Sequence, residues 1–227
     1  MGARRLVGVV VTVVLGAVVV GATTAVLAIA SPSPAMLRAS VHGYVSTPEG
    51  RLVRASLTLD TYPDSLAGEH GSGGGAHPDW VSYGPSTSLW VPAHALVTVT
   101  IRQYDTGGTI LNPFFASARG TVGGVEWVNG RRVGGVDPNN IGHTFTIHTF
   151  PTNQTSLFVN VPLPAVPASA PNLANGYPRP VIVTFQFVTG GPGRYVWQCE
   201  YPCGVGVAGF GGPMSTQGYM AGTLTVG

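Results

Sequence analysis

Tyr195, Trp197 and Cys199 alternate with Val196 and Gln198 just after a Pro-Gly turn, and a period of two with one apolar face specifies a half-buried strand. Both cysteines of the chain lie at the end of that run, in Cys199-Glu200-Tyr201-Pro202-Cys203-Gly204. A Gly-rich loop carrying Met214 follows, and Gln217-Gly218-Tyr219-Met220 leads into a closing alternating strand, Thr223 to Val226. Upstream, Gly142-His143-Thr144-Phe145-Thr146-Ile147 puts a histidine at the start of another strand. Phe145 and Ile147 share the parity of His143, so a strand that buries them turns His143 towards the core. The other reading of His143 is a strand-end cap.

The rest of the chain has the same character. Of its 227 residues only 9% are charged, Gly numbers 33 and Pro 19, and Val, Thr and aromatics are common. Such a composition makes short strands and many turns. All basic residues are Arg, and a formal net charge of +2 is too small and scattered for nucleic-acid binding. No nucleophile elbow, phosphate-binding loop or paired-carboxylate spacing occurs. A hydrolytic enzyme is therefore not supported.

Arg4-Arg5 precedes an unbroken uncharged run from Leu6 to Ala30. About 20 apolar residues cross a bilayer as a helix, and preceding positive charges favour an N-inside orientation. Ala28-Ile29-Ala30 also fits a signal-peptidase site, but the run is longer than a usual signal core. We therefore expect residues 1–30 to be a retained single-pass anchor contacting the membrane through residues 6–30. Residues 31–38, SPSPAMLR, then read as a linker, and 39–227 as one domain on the extracytoplasmic side. Export permits a disulfide.

Within that domain the alternating runs Ala39–Ser46 and Leu52–Leu59 flank a Pro-Glu-Gly turn and predict a hairpin. Leu66–Asp79 is a Gly-rich loop holding His70 and His77. A strand begins near Leu89, turns at Pro92-Ala93 and continues from Leu96 towards Asp105. Asn129-Gly130, between two short alternating runs, is a hairpin signal. Strands over Thr144–Thr149, Leu157–Val161 and Val181–Val188 complete the set, with a Pro-rich loop over 162–180. No helical period occurs outside the anchor, so the expected architecture is all-β: an antiparallel Greek-key β-sandwich behind an N-terminal transmembrane helix. Asp60, Asp64 and Glu69 read as solvated loop charges, and Asn153-Gln154-Thr155 is a glycosylation sequon of low specificity.

A histidine opening one strand, a cysteine ending a Tyr-x-Trp-x-Cys strand and a methionine before the closing strand resemble the cupredoxins. The Cys-x3-Cys-Gly spacing is most similar to the second subunit of cytochrome oxidases, whose binuclear copper site uses two bridging cysteines. The resemblance covers about residues 85–227. It implies a cupredoxin-like sandwich that binds copper, transfers electrons and meets a redox partner protein. Carried over residue by residue, it makes His143, Cys199, Cys203 and Met220 metal ligands, with Met214 as a second thioether. Where the family has a histidine three residues before the methionine, this chain has Gln217, whose amide oxygen is a harder and weaker donor. No histidine follows Cys199.

The other imidazoles do not fill that place on strand geometry. His148 is roughly 16 Å along the strand from His143 and on the opposite face, and His94 is roughly 30 Å before Asp105. His70 and His77 could reach in only by ordering their loop. A single imidazole favours Cu(I). The alternative is a metal-free structural or interaction module with a Cys199–Cys203 disulfide, docking through the insertion that carries Trp127, Arg131 and Arg132.

Overall fold

The computed structural model describes residues 3–30, 34–48, 50–65 and 77–227. The chain divides into two compact units, Met1–Ser33 and Pro34–Gly227. The first is a single helix, α1 (Ala3–Ala30). At 1.5 Å per residue a helix of 28 residues is about 42 Å long, more than the hydrocarbon thickness of a bilayer. Its stretch Gly8–Ala25 has a mean hydropathy of 2.2, and its side chains are exposed all round. A helix apolar on every face is not a helix made for water. It is long and apolar enough to cross a membrane.

The second unit is a Greek-key β-sandwich. One sheet has the order β1 (Leu37–Arg38), β5 (Ser88–Val91), β13 (Ala221–Val226), β12 (Gly193–Gln198), β9 (Ile141–Thr149), β10 (Val159–Pro164). The other runs β2 (Ser40–Thr47), β3 (Gly50–Tyr62), β6 (Ala95–Gln103), β11 (Val181–Val188), β7 (Glu126–Val128), β8 (Arg131–Val133), with β4 (Ser82–Gly84) paired to β3. The hairpin of β2 and β3 forms as expected. So does that of β7 and β8, where Asn129 and Gly130 both take positive φ, the geometry of the tight turn that matches strand twist. Leu37 and Arg38, placed in the linker on sequence grounds, pair with Leu89 and Trp90.

Two expectations need correcting. The sandwich is not wholly antiparallel, because β1 with β5, β5 with β13 and β3 with β6 are parallel pairs. β5 and β6 are one strand broken at Pro92–His94, where the chain crosses from one sheet to the other. It then returns beside β3 in the same direction. Asp60, expected in a solvated loop, is fully buried in β3 and ion-paired with Arg102 on β6, Nε to Oδ1 at 2.5 Å. Its charge is neutralised across a parallel strand pair that local sequence does not announce. Asp64 accepts from the Tyr177 hydroxyl at 2.9 Å; Glu69 and His70 lie outside the described residues.

Between the sheets the apolar parities interlock. Val97, Val99 and Ile101 of β6 lie beside Phe185 and Phe187 of the neighbouring β11, and this face packs in one buried cluster with Phe145, Tyr195 and Trp197 of the other sheet. Tyr83 meets the Trp197 ring edge-on at 4.9 Å, and Trp197 Nε1 donates to the Thr87 carbonyl at 3.1 Å. The one polar atom of the largest core side chain is thus satisfied, as burial requires.

Candidate metal centre

Three elements converge at one end of the sandwich. β9 brings His143, its third residue and not its first as the sequence suggested, because the strand starts at Ile141. β12 ends at Gln198 and delivers Cys199, whose amide donates to the Met220 carbonyl at 2.9 Å. The loop after it folds back through Cys203 to Met214. Cys199 and His143 are fully buried.

The glycines flanking the site have steric reasons. A Cβ on Gly204 would overlap the Gly211 carbonyl and lie 2.7 Å from Met214 Cγ, so only glycine lets the Met214 loop close on Cys203. A Cβ on Gly142 would overlap the Gln103 amide. That amide holds Asp105 in place: Gln103 Nε2 donates to the Asp105 carbonyl, and the Asp105 amide donates to Gln103 Oε1, each at 3.0 Å.

Asp105 then completes the centre. Its Oδ2 lies 3.0 Å from His143 Nε2, which leaves Nδ1 pointing at Cys199 Sγ, 3.8 Å away. Cys203 Sγ lies 3.7 Å from Cys199 Sγ and 3.1 Å from Met214 Sδ. The Thr144 amide donates to Cys199 Sγ at 3.3 Å. The ligand atoms of His143, Cys199 and Cys203 all lie within 4.8 Å of one another.

The cysteines are free thiols, at a separation well beyond a covalent S–S bond. The disulfide considered on sequence grounds is absent.

Of the six residues singled out in the sequence, the structure gathers His143, Cys199, Cys203 and Met214. Met220, the preferred thioether on the resemblance, has a buried side chain and meets the cluster through its carbonyl. Gln217 lies on the wall of a cavity that Met214 also lines. The remaining described histidines are elsewhere. His148 is on the opposite face of β9, its Nε2 2.8 Å from Glu200 Oε1. His94 sits at the sheet crossing with φ 49°, and His77 stacks on Trp80 at 3.6 Å. Sequence reasoning missed Asp105 and Thr144 as partners of the centre; the local signal was that Asp105 follows shortly after a strand, β6, which ends at Gln103.

Electrostatics follow from the contacts. Burial works against charge on His143, but hydrogen bonds and charge from Asp105 and Cys199 outweigh it and raise its pKa to about 9. Burial likewise works against a Cys199 thiolate, yet Cys203, His143 and the Thr144 amide bring it down to about 5. The hydrogen bond to Cys199 and burial push the Cys203 thiol up. An imidazole, two cysteine sulfurs and a thioether form a soft donor set that fits copper better than hard cations.

No family model matches the sequence, and no curated protein does either. Among solved structures the chain is similar to auracyanin B, with 15% identity over 83% of this chain and 97% of that one and a TM-score of 0.34. It is also similar to rusticyanin from Thiobacillus ferrooxidans, with 14% identity over 82% of this chain and 86% of that one and a TM-score of 0.35. A methionine-to-leucine variant of rusticyanin gives 12% identity, 86% and 99% coverage, and 0.36. These are likenesses of fold alone; the centre is read from its own atoms.

Proposed function

We propose that this chain is a membrane-anchored, extracytoplasmic, cupredoxin-like protein that binds copper and exchanges single electrons with a redox partner protein. The observation that carries the reading is the convergence of one ligand atom each from His143, Cys199 and Cys203 within 4.8 Å of one another. His143, Cys199 and Cys203 would hold the metal, with the Met214 thioether completing the set and Met220 and Gln217 in supporting places.

Bound there, copper would supply a one-electron couple, and the protein's part is to keep the donors still. Asp105 fixes the imidazole, the Thr144 amide stabilises negative charge on Cys199, and the two sheets clamp the strands that carry both residues. Thiolate and thioether donors with one imidazole favour the cuprous state. Cys199 and Cys203 would hold one ion or two, and the copper-to-protein ratio decides between them. The free thiols weigh against a disulfide-stapled, metal-free module.

The test is metal analysis and visible spectroscopy of the full chain, purified in detergent under reducing conditions and offered copper or zinc. The expected result is retained copper, and on oxidation a thiolate-to-copper absorption that His143→Ala and Cys199→Ser abolish. Zinc retained in preference to copper, or an absorption that survives His143→Ala, overturns the reading.

A further inference from the structure

We infer that the cavity on the outer face of β12 and β13 is the route by which Cu(I) reaches the centre, with the Met214 thioether as the first sulfur on the way. This rests on the reading of the centre as a copper site. The cavity has a volume of about 260 Å³, and its walls include Val196, Gln198, Met214, Gln217, Ala221 and Thr223. Met214 is only 5% exposed, so it closes the inner side of this space. Behind it Cys203 Sγ stands 3.1 Å from Met214 Sδ and belongs to the cluster in which Cys199 Sγ lies 3.7 Å from Cys203 Sγ and 3.8 Å from His143 Nδ1.

The donors thus run from a lone outer thioether, Met214, to a compact inner cluster of two sulfurs and an imidazole. A neutral thioether binds a soft monovalent ion weakly and releases it easily; a thiolate holds it more strongly, and two thiolates with an imidazole hold it most. Among the described residues the cavity walls carry no charged side chain, so they offer no carboxylate to retain a hydrated divalent cation. The amides of Gln198 and Gln217 are neutral and exchangeable, and Gln198 keeps its Nε2 on Glu200 Oε1 at 2.9 Å. The loop between Cys203 and Met214 presents exposed Val205, Val207 and Phe210 to solvent and offers no comparable donor. Chemically the step is ligand exchange: Cu(I) keeps its oxidation state, its carrier leaves as free ligand, and each thiol proton displaced passes to water.

The experiment mixes reduced, metal-free full-length protein in detergent with the bicinchoninate complex of Cu(I). It follows release of the chelator in time, and separately measures the equilibrium affinity by competition. Ala221→Leu and Thr223→Phe each fill the cavity from the sheet surface without touching the centre. Each is expected to slow loading by about tenfold or more while leaving the affinity unchanged. Met214→Leu is expected to slow loading by more than it weakens affinity. Unchanged loading in both cavity variants overturns the route. A Met214→Leu variant that loads at the native rate but binds weakly makes Met214 a final ligand only, which also overturns it. Wild-type protein that takes up no Cu(I) at all overturns the copper reading, and the route falls with it for that separate reason.

Discussion

Glu126 is fully buried at the start of β7, and neither of its carboxylate oxygens has a hydrogen-bond partner among the described residues. Burial raises its pKa from 4.5 to about 8, so near neutral pH it stays a neutral acid. The folded state then binds this proton more tightly than the unfolded chain does. The stabilising effect is full below pH 4.5 and is lost as pH rises through about 8. Glu126→Gln, which cannot ionise, is therefore expected to gain stability relative to wild type between these limits, measured as the difference in denaturant midpoint at pH 5 and 8; a constant difference would contradict the burial argument. At the centre, Asp105 holds His143 through Nε2, and loss of such an orienting partner typically costs 10–100-fold in metal affinity. Asp105→Asn is expected to weaken copper binding by about that factor in chelator competition, with the fold retained by circular dichroism.

Elements whose identity depends on local pattern were legible. β11 occupies Val181–Val188 as its alternation predicts, and Asn129-Gly130 turns β7 into β8. The parallel pairing of β3 with β6 was not, because strand partners far apart in sequence are chosen by packing and not by periodicity. The loop that seats Met214 was legible only as Gly-rich. Its shape depends on contacts among Gly204, Gly209 and Gly211 that no short window contains. Gly204→Ala forces this loop apart, and overpacking of this kind costs ~1–3 kcal/mol. The expected outcome is a lower denaturant midpoint together with reduced copper retention. Retention at the native level would show that Met214 need not close on Cys203.

For the whole molecule the two units make separate predictions. Removing residues 1–33 is expected to move the protein from the membrane fraction to the soluble one without loss of copper uptake, since Pro34–Gly227 has its own core. Full-length protein recovered wholly soluble and starting at Ser31 would show instead that α1 is a cleaved signal. Trp197 anchors that core with no exposed surface, and truncating such a side chain costs ~3–5 kcal/mol. Trp197→Ala is expected to lower the denaturant midpoint accordingly, and an unchanged midpoint would mean that Trp197 is not the core side chain described.

The amino-acid sequence by itself determined the apolar helix and the strand parities that bury Phe145, Phe185 and Trp197, because each follows from spacing along a strand or helix; the meeting of His143 with Cys199 was expected only from the family resemblance. Only the tertiary structure decided that the Met214 thioether meets Cys203, that Asp105 orients His143, and that Asp60 is a buried ion partner. Those are meetings of side chains carried by different strands and loops. They exist only after two sheets have packed and glycines at 142 and 204 have let backbones approach, and no periodicity records them.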